Sequence, residues 1–114
     1  MAIEVRVWLP REVTSGEVAD NIGTVNVSKY ATEIATIFDS EGWTATSGVG
    51  HWQGSQEGVV VVSVIVRDLQ WEYNKGAFYA RIVELRHELG QDAILTTVAK
   101  CAVTVVDEEY YAAT

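Results

Sequence analysis

Residues 48–58, GVGHWQGSQEG, contain residue types that could perform chemistry at a loop. His51 has the side chain of a general base, Ser55 that of a nucleophile and Glu57 that of an orienting acid. Their spacing matches no catalytic motif, and the glycines do not follow the GxGxxG pattern. The segment precedes an apolar strand pattern, whereas a phosphate-binding loop opens a helix. We therefore predict a β-hairpin, whose glycines let Trp52 or a partner approach the backbone, and assign no catalytic residue.

Metal binding finds little support in the sequence. His51, His87 and Cys101 fall on three different predicted elements, whereas a zinc site needs three or four ligands. The segment HELGQD at His87 lacks the second histidine of HExxH. The carboxylates nearest the glycine-rich segment and the first loop do not follow EF-hand spacing. These are Glu12, Glu17, Asp20 and Glu57. We predict neither a metal nor a cofactor.

Composition bounds the classes of function. The chain has 114 residues, 48% of them hydrophobic, which is sufficient for one globular domain. No apolar run approaches the roughly 20 residues of a membrane span. The formal charge of −8 argues against direct binding of DNA or RNA, which needs a basic face. The acidity serves either solubility or contact with a basic protein partner. A single cysteine fits a reducing, cytoplasmic location.

Hydrophobic periodicity predicts the elements that must position these residues. Ile3, Val5 and Val7 alternate with polar residues, as in a strand. From about residue 27 the apolar residues recur with the period of a helix, and either Asn26 or Ser28 is a suitable N-cap. The predicted elements are a strand over 2–9, a long loop over 10–25, a helix over 27–41, a hairpin of strands 43–53 and 58–67 with its turn over 54–57, a helix over about 75–89 and a strand over 93–106.

The order β-α-β-β-α-β predicts an α+β fold, the ferredoxin-like plait. Right-handed crossovers give a four-stranded antiparallel sheet of order 4-1-3-2 with both helices on one face. We expect one domain over 1–106 and a polar tail over 107–114. In this topology the loop 10–26, the hairpin tip 53–57 and the turn 90–92 meet at one edge. This edge and the loop tryptophans are the predicted binding site, with candidate residues His51, Trp52, Glu57, Glu12, Glu17, Asp20 and Trp71.

The uncovered face of the sheet is predicted to be apolar. Both faces of the strand 58–67 carry aliphatic residues, although a solvent-facing side should be polar. A second copy packed sheet against sheet is the simplest cover, so we predict a homodimer or higher homo-oligomer. The predicted interface residues are Trp8, Val59, Val61, Ile65, Ile94 and Val98.

Three short segments resemble a known type of protein. FDSEGW at a helix end, GVGHW in a hairpin and LGQDAIL before the last strand resemble small uncharacterised α+β-plait proteins of phages and prokaryotes. The resemblance covers roughly 28–106 and carries no catalytic residue over. It implies a compact, cytoplasmic, often phage-borne protein. By analogy, it also implies an inhibitor of host or defence machinery.

Two hypotheses of function follow. The leading one is a non-enzymatic protein that covers a partner's surface or sequesters a ligand, using the loop edge and Trp52. The alternative is a small dimeric enzyme or small-molecule binder with a pocket between sheet and helices, in which Arg6, His51 and Glu57 act. A concave pocket with converging polar groups favours the alternative, whereas a flat acidic and aromatic patch favours the inhibitor.

Overall fold

A four-stranded antiparallel sheet forms the centre of the protein. The computed structural model describes residues 2–14, 22–40, 42–104 and 106, with the backbone alone at 13, 14, 22–24 and 52. The elements are β1 (Ala2–Pro10), β2 (Glu12–Thr14), β3 (Ile22–Thr24), α1 (Val27–Ile37), β4 (Thr44–Trp52), β5 (Ser55–Arg67), α2 (Asp68–Glu88) and β6 (Thr96–Cys101). The sheet order β4-β5-β1-β6 is the predicted 4-1-3-2 order read from the other edge, so the predicted ferredoxin-like plait is confirmed.

One face of the sheet packs under the two helices. β1 and β5 are antiparallel, with Val5 opposite Val64 and Val7 opposite Val62. All four valines are buried, and they contact the buried face of α1 and α2. Because strand side chains alternate between faces, the apolar residues at odd positions of β1 point together into this core.

The helix bounds differ from the predicted ones. Asn26 caps α1, since its Oδ1 accepts from the N–H of Lys29 at 3.1 Å, but the helix ends at Ile37, and Asp39 then adopts a positive φ of 51°. α2 begins at Asp68, so the predicted connection 68–75 is helical. Trp71 lies seven residues before Phe78, which places both on one helix face.

The strands and turns also differ in detail. The predicted loop 10–25 contains the paired strands β2 and β3, and the last strand is Thr96–Cys101 rather than 93–106. The hairpin turn consists of Gln53 and Gly54, both with positive φ, rather than 54–57. Two-residue turns of this kind suit the twist of antiparallel strands.

Gly48 and Gly50 make room for Val59 on the neighbouring strand, whereas the side chain predicted to approach them was that of Trp52. A Cβ on Gly50 would lie 3.0 Å from Cγ1 of Val59, whereas one on Gly48 would lie 3.9 Å from Cγ2. The Val59 side chain is 8% exposed.

Gly50→Ala is expected to lower the free energy of unfolding by about 1–2 kcal/mol, because Val59 must move to admit the new methyl group. Gly48→Ala is the matched control. It has ordinary contact distances and should be neutral or stabilising by about 0.5 kcal/mol. Urea denaturation of both variants checks this. Equal effects of the two substitutions would contradict the packing described.

Arg81 joins the two helices through three carboxylates. Its Nη2 lies 2.8 Å from Oε2 of Glu33 on α1, and its Nη1 lies 3.0 Å from Glu84 and 2.9 Å from Glu88 on α2. The hydrogen bond from Arg81 holds the pKa of Glu88 below its ordinary value. The Arg81 side chain is only 20% exposed, so solvent screens this network less than an isolated surface pair.

Arg81→Met is expected to destabilise the protein by about 1–2 kcal/mol at neutral pH, because three carboxylates lose their shared cation. Since the pKa of Glu88 is lowered in the folded state, its contribution exists at neutral pH and is lost as the pH falls through that pKa. The difference from the unmodified protein should therefore shrink below about pH 4. Lys75→Met, which removes an exposed pair with Glu72, should cost under about 0.5 kcal/mol. Chemical denaturation between pH 3 and pH 7 tests both statements.

Candidate functional site

The face of the sheet away from the helices is mixed in character. β1 places Glu4, Arg6 and Trp8 on it, and the pairing register sets these opposite Ile65, Ser63 and Val61 of β5. Trp8, Val61 and Ser63 are half-buried, and Ile65 is exposed. Charged and hydroxyl groups therefore interrupt the predicted apolar surface.

Three of the six predicted interface residues do not lie exposed on this face. Val98 pairs with the core residue Val5 and, like Ile94, packs against the core. Val59 has the correct direction but is buried at 8% exposure. Residues paired across two strands point to the same face of the sheet. The register of β6 with β1 therefore places Val98 on the helix side, whereas the sequence had predicted the open face. An interface through Trp8, Val61 and Ile65 stays a prediction.

A cleft of about 490 Å³ lies at one end of this face, and we call it the Trp8 cleft. It lies between the β4–β5 hairpin and the connection from α2 to β6. The backbone N–H of Trp8 donates to the carbonyl of Leu95 at 3.0 Å, which fixes that connection beside β1. The lining residues are Trp8, Pro10, Gly50, His51, Gln53, Ser55, Glu57, Val59, Gly90, Gln91, Asp92, Ala93, Ile94 and Leu95.

The lining of the Trp8 cleft combines an indole with an acidic rim. Trp8 and Ile94 are half-buried, and Val59 is buried, so part of the lining is apolar. Glu57 and Asp92 are exposed, and the described residues that line the cleft include neither lysine nor arginine. Two arginines border the same rim, since Nη1 of Arg86 donates to the carbonyl oxygen of Asp92 at 3.3 Å and the guanidinium of Arg11 lies against Gly58. Within the lining itself, the indole and the two carboxylates favour a cationic ligand with a flat apolar portion.

The structure brings together His51, Glu57 and the 90–92 turn, as the predicted topology requires. Glu12 is exposed on β2 and does not line the Trp8 cleft. Glu17 and Asp20 lie outside the described residues. The backbone of Trp52 pairs with Ser55, and its side chain lies outside the described part of the chain.

Trp71 occupies a different environment from the loop predicted for it. It lies in the first turn of α2, half-buried against the core, with ring centroids 5.7 Å from Phe38, 6.1 Å from Phe78 and 6.0 Å from Tyr79. The Trp8 cleft lies beyond the other end of α2. The prediction of Trp71 as a loop-borne partner contact is therefore wrong about its location and packing.

A second cleft, of about 770 Å³, lies at the opposite end of the open face, and we call it the Trp43 cleft. β5 extends past the start of β4 here, and Ser40 Oγ donates to the carbonyl of Ile65 at 3.0 Å. Its side chains include Glu4, Asp39, Trp43, Ser63 and Arg67. The mixture of both charges makes this cleft less selective for a cation.

Sequence reasoning missed Trp8, Gln91 and Asp92 as site residues. The sequence predicted Trp8 only as an interface residue, because the pattern of its strand does not show that the connection from α2 to β6 lies beside it. Gln91 and Asp92 belong to the turn 90–92, which the predicted topology already placed at the binding edge. That placement could have identified them as site residues. Within the described ranges, no group of three or more histidine, cysteine or acidic residues is arranged to hold a metal ion. None of the described helices has the length and apolar character needed to cross a membrane.

Solved structures share this fold at low sequence identity. A phage SAM lyase in complex with S-methyl-5′-thioadenosine is 15% identical, with a TM-score of 0.52 over 87% of this chain and 81% of that one. A phage SAM lyase in the apo state is 17% identical, with a TM-score of 0.54 over 93% and 90%. The divalent cation tolerance protein CutA1 of Thermus thermophilus is 14% identical, with a TM-score of 0.50 over 98% and 93%. The chain has the fold of these proteins.

No protein-family model matches the sequence, and no curated protein does. The resemblance to small phage and prokaryotic plait proteins is therefore supported at the level of fold, by a phage protein and a bacterial one.

Proposed function

We propose that the protein binds S-adenosylmethionine (SAM) in the Trp8 cleft and cleaves it, releasing S-methyl-5′-thioadenosine. The observation that carries the proposal is the cleft itself, which has an indole in its lining and two carboxylates on its rim. The likeness of the fold to a phage SAM lyase, across 87% of this chain, supports the choice of ligand.

The chemistry of SAM suits this lining. Its adenine ring can stack on the indole of Trp8, an interaction worth about 1–3 kcal/mol for a base on an aromatic side chain. Its sulfonium is a cation that both an aromatic face and nearby carboxylates favour. Glu57 and Asp92 supply the negative charge.

The cleavage we propose needs no general base. One oxygen of the ligand's own carboxylate attacks its γ-carbon, the bond from that carbon to sulfur breaks, and the electron pair stays on sulfur. The products are S-methyl-5′-thioadenosine and a neutral homoserine lactone ring with its ammonium group. A carboxylate and a sulfonium lose their charges together in this step. The lack of a catalytic motif around His51 is consistent with such a reaction.

This proposal favours the second of the two hypotheses drawn from the sequence. The Trp8 cleft is concave and has both apolar and polar residues in its lining, which is expected of a small-molecule site. It lies on the open face of the sheet, in contrast to the predicted pocket between sheet and helices. Consumption of a methyl donor would also act against methylation-dependent enzymes of a host. We therefore keep a counter-defence role in the proposal, and this role needs no protein partner bound to the surface.

Incubation of the purified protein with SAM, followed by chromatography, tests the proposal. S-methyl-5′-thioadenosine should accumulate in proportion to protein concentration, and ATP should neither be consumed nor compete. Binding of SAM without product would limit the function to sequestration. The absence of both binding and product would refute the proposal.

The double substitution Glu57→Gln, Asp92→Asn is expected to weaken SAM binding by about fivefold to thirtyfold, because exposed charges at this range contribute about 0.5–1 kcal/mol each. S-adenosylhomocysteine, whose sulfur is neutral, should bind with nearly unchanged affinity. Glu72→Gln, on the exposed side of α2, is the control. Calorimetric titration measures all three. An equal loss for both ligands would contradict recognition of the sulfonium by these carboxylates.

A further inference from the structure

The helix α2 has apolar residues on two opposite faces. Its inner face, with Phe78 and Leu85, is buried in the core. On the outer face, six exposed positions follow one another at spacings of four and three residues in turn. At about 100° per residue, each lies within roughly 40° of the direction opposite Phe78. We call these six residues the outer stripe: Leu69, Tyr73, Gly76, Ala80, Val83 and His87.

The outer stripe has the pattern of a helix that packs against another helix. Alternate spacings of four and three residues are those of the contact positions in a pair of helices. Leu69, Tyr73 and Val83 are between 57% and 80% exposed. Contiguous exposed apolar side chains of this kind mark a surface that contacts another chain.

Gly76, at the centre of the outer stripe, is not required by the packing of the subunit itself. Among the described residues, a Cβ added to Gly76 would meet no atom within 4 Å beyond the adjacent backbone of its own helix. Glycine is nevertheless one of the least favourable residues inside a helix. Ala80, one turn later, is also small. Because the distance between packed helices depends on the side chains at their contact, this pair permits a close approach.

The charges beside the outer stripe are symmetric about its centre. Tyr79 lies at the middle of one flank, with Glu72 seven residues before it and Arg86 seven residues after it. When two copies of α2 pack antiparallel about a two-fold axis, Glu72 of each copy lies beside Arg86 of the partner subunit, and two pairs of opposite charge form. A parallel arrangement sets Glu72 beside Ala77 of the partner subunit and forms no such pair. The charges therefore favour a second, antiparallel copy.

We propose that the outer stripe is a contact between two copies of this chain, which pack α2 against α2 in antiparallel orientation. Tyr73 then faces Val83 of the partner subunit, and Gly76 faces Ala80 of the partner subunit, so the smallest side chains meet at the centre. The contact lies on the side of α2 away from the sheet. It leaves the Trp8 cleft open, and it does not depend on the proposed function.

Sedimentation velocity of the purified chain in about 0.15 M salt, over about 1–300 µM, tests the proposal. We expect a monomer–dimer equilibrium, since a contact one helix wide belongs to the small, dissociable class of interfaces. Ala80→Glu, which buries an unpaired carboxylate at the centre, should raise the dissociation constant by about tenfold or more. Ile65→Lys, on the open face of the sheet opposite Glu4, is the control and should leave it unchanged.

Charge reversal tests the antiparallel register. Glu72→Arg alone sets two arginines together at both ends of the contact, and Arg86→Glu alone sets two glutamates together. Each should weaken the dimer by about fivefold or more, because two attractive pairs become repulsive. The combined variant restores opposite charges and should recover most of the affinity. Additive losses in the combined variant would contradict the proposed register.

Gly76→Leu separates the contact from the fold. It should weaken the dimer by about tenfold or more, while the urea midpoint of the dilute monomer stays equal or rises, since leucine favours a helix. A monomer at every concentration would overturn the proposal and leave the outer stripe to a helix of another protein. A dimer that Ile65→Lys dissociates and Ala80→Glu does not would place the contact on the sheet instead. If Ala80→Glu does not fold, as judged by circular dichroism, the charge reversals decide.

Discussion

Trp8→Ala should weaken the binding of S-methyl-5′-thioadenosine by about tenfold to a hundredfold. Loss of a stacked aromatic platform costs about 1–3 kcal/mol per base, and this ligand has no charge or carboxylate with which other groups could compensate. Trp8 is half-buried on the open face, and its backbone N–H bond to Leu95 does not depend on the indole, so the connection beside the cleft should persist. Calorimetric titration gives the affinity directly.

Trp8→Phe is the matched variant for this prediction, because it keeps an aromatic face and should lose less than about fivefold. Trp43→Phe alters the indole of the other cleft and should leave the affinity unchanged. A large loss with Trp43→Phe and none with Trp8→Ala would place the ligand in the Trp43 cleft and refute the assignment made above.

Phe78→Ala should lower the free energy of unfolding by about 3–5 kcal/mol, the usual cost of removing a buried phenylalanine. Phe78 is fully buried, and its ring centroid lies 5.3 Å from that of Phe38 and 6.1 Å from that of Trp71. The substitution therefore leaves a cavity at the contact between the two helices and the sheet. Because small domains have about 5–15 kcal/mol of stability in total, a large part of it would be lost.

Tyr79→Ala is the neighbouring control on α2. Its ring lies 5.1 Å from Phe78, but it is 45% exposed, so its removal should cost under about 1.5 kcal/mol. Urea denaturation compares the midpoints at constant m value. Similar losses for the two variants would show that the aromatic cluster is not the buried core described here.

The sequence was sufficient to predict the strands and helices that carry a regular period. The alternation of Val5 and Val7 with charged residues fixed both the strand and its buried face. The start of α2 was missed because Asp68, Gln70 and Glu72 show no apolar period. The first turn is instead held by the packing of Trp71 against Phe78, a contact that exists only in the folded chain.

The alternation of apolar residues in the sequence could not show which side of β6 faces the core, because that depends on how β6 pairs with β1. Apolar residues occur at both parities in AILTTVAKCAVTVV, so either side was equally compatible with the sequence. The register Val5 to Val98 decides it, and that contact spans 93 positions of the chain, the difference of the two residue numbers. A residue-by-residue pattern carries no information about such a long-range contact.

The candidate site was predictable as a location and not as a set of residues. The plait topology placed His51 and Glu57 near the 90–92 turn, because strand ends sort to fixed edges. The role of Trp8 depends on the connection beside it, whose position follows from a single backbone hydrogen bond to Leu95.

A crystal structure of the protein soaked with S-methyl-5′-thioadenosine tests the central claim most directly. We expect the adenine ring over the indole of Trp8, between the hairpin residues His51 and Glu57 and the connection at Asp92. Density in the Trp43 cleft, or on the helix side of the sheet, would contradict the account.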